Sequence, residues 1–186
     1  MSSILKVDTI QTTAGAAPTT KDLGFAAGSV IQHIRLDPTG ASASSRYSGT
    51  STSYANTGTA VTITPKFSNS LIVVRGSINT GSASGSYLYL TLKRVISGGA
   101  TTDLGFVTSG TNYGIAQHGV SAASAGNLWT NIPIEYSDAP STTSAVTYQV
   151  WARNDSTSNT HYFGWTGGGG GTSHNGIFLT ATEIAQ

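Results

Sequence analysis

The strongest constraint on this chain is a period of two. Leu88, Leu90 and Leu92 are interleaved with Tyr87, Tyr89, Thr91 and Lys93, and an extended strand sends such alternating side chains to opposite faces. Val146, Tyr148, Val150 and Ala152 repeat the pattern, as do Ile177, Leu179 and Ala181. From Ser29 to Leu36 the same reading puts Val30, Ile34 and Leu36 on one face and His33 and Arg35 on the other. A helical period is missing, because every window with apolar residues at i, i+3, i+4 and i+7 is interrupted by Gly, Pro or Ser/Thr clusters.

Further strands are expected at 60–64, 71–78, 104–107, 131–136 and 160–165. The run Leu71, Ile72, Val73, Val74 is apolar on both faces, which predicts a central strand covered on both sides. Eight or nine short strands joined by Gly, Ser, Thr and Asn loops predict an all-β fold, an antiparallel β-sandwich or jelly roll, over residues 28–186. Residues 1–27 hold one apolar cluster, in SILKVDTIQ, and the small-residue linker TTAGAAPTT. They cannot bury a core alone, yet the cluster is richer in large aliphatics than a disordered tail. A short extended N-terminal arm that orders against a partner or a sister chain is expected.

Charged residues make up only 9 % of the chain, with a formal net charge of +1, against about a quarter in an average globular domain. No Lys/Arg stripe exists to displace counterions from phosphates, so no nucleic-acid partner is expected. A surface this poor in charge does little to keep free monomers apart, which points to life in an assembly. The absence of Cys excludes disulfides, thiolate metal sites and thiol nucleophiles. No apolar run approaches the ~20 residues that span a bilayer, and the N-terminus lacks a signal-peptide pattern, so no membrane insertion is expected.

The segments SSILKVDTIQ, GSVIQ, ITPKFSNSLIVV, VTYQVWARN and FLTATEIAQ, which contains the pair Glu183 and Ile184, occur in this order along the chain. Together they resemble the tail-fibre and virion-appendage proteins of marine tailed bacteriophages, cyanophage-like, with a C-terminal β tip domain. The resemblance implies a homotrimer made in the host cytoplasm and carried on the tail or capsid surface of the virion. Its arm, chiefly Ile4, Leu5, Val7, Asp8, Ile10 and Gln11, would dock on other virion proteins, and its β domain would point outward to a host-surface glycan. No shaft, heptad stretch or Gly-X-Y repeat separates arm from tip. A short tail fibre or fibre tip is therefore expected, with a capsid decoration protein held by its arm as the alternative and a free lectin-like module as a more distant one.

Catalytic signals are weak. The eight carboxylates, Asp8, Asp22, Asp37, Asp103, Glu135, Asp138, Asp155 and Glu183, include no pair selected for glycosidase chemistry, and Asp37 and Asp138 read as turn formers before Pro38 and Ala139–Pro140. No serine sits in a G-x-S-x-G elbow, and the glycines at 167–171 lack the Lys-Ser/Thr of a phosphate loop. A non-enzymatic protein without cofactors is expected. His33, His118, His161 and His174 form no local metal motif. Aromatic residues gather in the second half, where Trp151 and Phe163 are read as filling the core or a subunit interface. Tyr113, in the loop SGTNYG, and Trp165, beside the glycine run, are the candidate receptor contacts, with His161 and His174 flanking that run.

Overall fold

The computed structural model describes residues 24–36, 47–82, 87–105, 114–119, 128–158, 160–164 and 177–186. Among them eleven strands run β1 Val30–Leu36, β2 Tyr47–Gly49, β3 Ala55–Ile63, β4 Leu71–Ser82, β5 Tyr87–Ile96, β6 Thr101–Asp103, β7 Ala116–Gly119, β8 Leu128–Asp138, β9 Val146–Asn154, β10 His161–Phe163 and β11 Ile177–Ile184. They form two antiparallel sheets packed face to face, a β-sandwich. The short strands β2 and β7 were not expected, and β6 lies before the run at 104–107 instead of within it.

The first sheet is ordered β1-β11-β4-β10-β2, with β8 also paired to β4. β11 and β10 follow one another along one edge of β4, at Leu71–Ile78 and Thr80–Ser82, while β8 takes the other edge over its full length. The second sheet is ordered β3-β9-β5-β6, with β7 beside β6 on the same edge of β5. The lateral margins of the sandwich are therefore β1 against β3 on one side and β8 against β7 on the other.

The expected inner faces are the core. Leu88, Leu90, Leu92, Val146, Tyr148, Val150, Ala152, Leu179 and Ala181 have no exposed surface, and Ile72, Val74 and Ile78 join them from β4. Residues facing one another across the two sheets exclude water from both, which is the dominant favourable contribution to such a fold.

Three details differ from the period-two reading. The register of β1 slips between Val30 and Gln32, so that Ile31 is an extra residue. Such a bulge reverses the alternation on one side of it; Val30 stands opposite Ile184 on the outer face and is 61 % exposed. Ile34, opposite buried Ala181, keeps its inward side but lies at the open margin. On β5, Tyr89 and Thr91 belong to the outer face and are buried all the same. Gly105 packs directly on Thr91, where a Cβ would strike the hydroxyl, and the Tyr87 ring and Arg153 guanidinium lie against Tyr89. β4 is central in hydrogen bonding, but Leu71 and Val73 on its outer side are only half-buried, so the strand is fully covered on one face.

Candidate functional site

Of the sequence-derived candidates, Ile4, Leu5, Val7, Asp8, Ile10, Gln11, Tyr113, Trp165 and His174 lie outside the described residues. His161 does not behave as a surface group. It sits on β10 between β4 and β2 at 1 % exposure, which withholds its ring from a receptor. Its position follows from the alternation His161-in, Tyr162-out, Phe163-in on a strand flanked on both sides. Phe163 is in the core as expected, whereas Trp151 is not: it alternates with buried Val150 and Ala152 and so projects from the outer face of the second sheet.

That outer face carries the densest cluster of binding-type side chains among the described residues. The register of β5 with β9 sets Tyr89 opposite Arg153, Thr91 opposite Trp151 and Lys93 opposite Gln149. Directly opposite and diagonal side chains of an antiparallel pair touch. The Arg153 guanidinium thus stands 4.5 Å from the Tyr89 ring centre and 5.6 Å from that of Tyr54, while the Lys93 ammonium lies 4.5 Å from the Trp151 ring. Tyr87 stacks on Tyr89 at 6.3 Å and 23°.

Polar groups fix these rings. Trp151 Nε1 donates to Gln149 Oε1 at 3.1 Å, and Asn56 Nδ2 reaches the same oxygen at 3.5 Å. Lys93 pairs with Asp103 at 3.6 Å, and Asp103 Oδ1 accepts from Thr91 Oγ1 at 2.9 Å and from the Gly105 amide at 3.1 Å. Burial raises the Tyr54 phenol above its ordinary value, with Arg153 offsetting part of the rise. The result is a fixed platform of rings and cations in which Tyr87, 45 % exposed, is the most open aromatic. The alternation of β5 and β9 was legible beforehand; the pairing that joins Lys93 to Trp151 and Arg153 to Tyr89 was not.

Beside this face, where β6 and β7 approach β8, Leu104, Gly105, Gly114, Ile115, Glu135 and Tyr136 line a wide-mouthed depression of about 510 Å³.

The described carboxylates are all engaged. Asp138, read as a turn former, closes β8 and accepts two bonds from Arg94 Nη1, at 2.8 and 3.1 Å, and one from the Tyr148 hydroxyl at 2.8 Å. Burial, and then the neighbouring Asp138 charge, push the Tyr148 phenol far above its ordinary value. Glu183, fully buried, accepts from Ser70 Oγ and from the Lys66 and Phe67 amides on Oε1, and from Gln32 Nε2 on Oε2. Glu135 pairs with Arg75 at 3.1 Å on the surface, and Asp155 accepts the Tyr87 amide at 3.0 Å. Asp8, Asp22 and Asp37 are outside the described residues. No group of three His, Cys, Asp or Glu able to hold a metal occurs among the described residues, and no helix long and apolar enough to cross a membrane occurs among them. No protein-family model and no curated protein matches the chain.

Proposed function

We propose that this chain is a non-enzymatic subunit of a tailed-phage particle, a short tail fibre or fibre tip that assembles as a homotrimer and holds a host-surface glycan on the outer face of its second sheet. The observation that carries this reading is the platform of Tyr54, Tyr87, Tyr89 and Trp151, interleaved with Arg153 and Lys93. Aromatic rings fixed in advance lose little conformational freedom when a flat, weakly polar ring settles on them. Asn56, Gln149 and Asp103 stand close by with amide and carboxylate groups for the hydroxyls of a sugar. Three such faces on one particle turn a weak contact into firm attachment, because the second and third contacts form at high effective concentration.

The test is binding of the purified chain to a panel of immobilised bacterial surface polysaccharides, alongside the Tyr87→Ala and Trp151→Ala variants. Retention of the wild type with at least tenfold weaker retention of both variants is expected. Retention unchanged by either substitution, or none on any polysaccharide, would overturn the assignment of this face.

A further inference from the structure

We infer that the outer face of the first sheet is the contact between subunits, with three copies walling a triangular prism around a threefold axis; the inference rests on the homotrimer reading above. The register arranges this face in rows that cross the sheet. Val30, Ile184 and Leu71 form one apolar row over three strands, and the next row reads His33, Thr182, Val73 and Ser137, apolar at Val73 alone. Further along, Phe178 projects from β11 at 38 % exposure. Of the five described large apolar side chains that are exposed, Val30 and Phe178 stand on this face, Phe25 lies just before β1 at the Val30 end, Ile34 turns inward at the open β1 margin, and Tyr87 is on the opposite sheet. A sheet face with this content is a site for association, since apolar patches beyond scattered single residues mark interfaces.

The charges say what associates. One row reads Arg35, Thr180, Arg75, Glu135 from the β1 margin to the β8 margin. Arg35 lies 5.4 Å from the Phe178 ring centre and has no carboxylate partner among the described residues. Glu135 stands at the opposite margin, paired through Oε1 with Arg75 at 3.1 Å, and its side chain is 64 % exposed, which leaves its carboxylate open to a second cation. A face that is positive at one margin and negative at the other is complementary to itself in a head-to-tail ring, the heterologous contact that closes under threefold rotation. When the strands run along the axis, each β1 margin meets the β8 margin of the next copy at the same height. Arg35 of one copy then meets Glu135 of the next, and the apolar row of Val30, Ile184 and Leu71 turns toward the axis together with Phe178.

The test is the solution mass by size-exclusion chromatography with light scattering, with far-UV circular dichroism and a thermal melt on every variant. The wild type is expected near three times 19.0 kDa. The double variant Val30→Asp/Phe178→Asp is expected to fall to the single-chain mass while keeping its strand spectrum, because both positions are exposed. Thr62→Asp, on the outer face of the second sheet, keeps the trimer mass. Arg35→Glu weakens the trimer at least tenfold, and adding Glu135→Arg restores part of the loss. A wild-type monomer overturns the homotrimer reading and this contact with it. A trimer that survives both Val30→Asp/Phe178→Asp and Arg35→Glu overturns the contact alone.

Discussion

Gln32 on β1 donates its Nε2 to Oε2 of Glu183 on β11 over 2.6 Å, and the same nitrogen reaches the Thr64 carbonyl at 2.7 Å. With Oε1 of Glu183 taken by the Lys66 amide, the Phe67 amide and the Ser70 hydroxyl at 2.8, 3.1 and 2.7 Å, one buried carboxylate ties together β1, β11 and the turn that leads into β4. Buried donors stripped of their acceptor keep the full cost of desolvation, so Glu183→Ala is expected to destabilise by about 3–5 kcal/mol from its orphaned donors. Glu183→Gln keeps one acceptor oxygen but sets an amide donor against Gln32, at a cost of about 1–3 kcal/mol. Urea unfolding at neutral pH reads both; two variants as stable as wild type would refute the clasp.

The second buried carboxylate makes an alkaline prediction. The folded Tyr148 phenol holds its proton more tightly than a free one, so its contribution is fully present below pH ~10, the ordinary phenol value. Above that pH the unfolded chain releases the proton first and stability declines, by up to ~1.4 kcal/mol per pH unit for this one group. Tyr148→Phe is expected to flatten the decline between pH 10 and roughly 11.5, as followed by urea midpoints across that window. A slope identical to wild type would show that Tyr148 is not the group responsible.

Removal of Asp138 has a different signature. Asp138→Ala leaves the Arg94 guanidinium and the Tyr148 hydroxyl without their shared acceptor, and breaking a buried charged pair on one side costs about 3–5 kcal/mol. The double variant Asp138→Ala/Arg94→Met is expected to recover a large part of that loss in the same urea assay, because no unpaired charge stays behind. Additive losses would contradict the pairing.

Two glycines with positive φ separate strain from collision. Gly98, at φ +77, has open space around a would-be Cβ, while Gly114, at φ +66, would drive it into the Leu90 carbonyl and within 2.7 Å of the Tyr54 hydroxyl. Gly98→Ala is expected to cost about 1 kcal/mol from the left-handed backbone alone. Gly114→Ala should cost at least ~2–3 kcal/mol, a fall in Tm of about 5–10 °C for a chain of this length. Equal melting temperatures for the two variants would remove the close packing of residues 114–115 on β5.

On the platform, Arg153→Lys tests whether planarity matters. The guanidinium carbon stands 4.5 Å from the Tyr89 ring centre and 5.6 Å from that of Tyr54, and a planar guanidinium stacks on aromatic faces in a way an ammonium does not. A loss of about 0.5–1 kcal/mol in thermal stability is expected, accompanied by weaker retention on any polysaccharide that the wild type binds. Retention unchanged by the substitution would show that Arg153 only supports the rings.

The period of two by itself determined that this chain is all-β, and it picked out the buried faces of β5, β9 and β11, whose leucines, valines and alanines are inward in the sandwich. It also contained the outward position of Trp151, between Val150 and Ala152. Such alternation is a local property of extended backbone and survives any choice of partner strand. Only the tertiary structure decided the rest. The bulge that turns Val30 outward appears when β1 is laid on β11, and the burial of Thr91 depends on Gly105 being brought against its hydroxyl. Asp138 and Glu183 look like surface carboxylates until Arg94 and Tyr148, or Gln32, Lys66, Phe67 and Ser70, are brought to them from other elements. Pairing and register are set by the joint burial of two sheets across long stretches of chain, and no single strand carries that information.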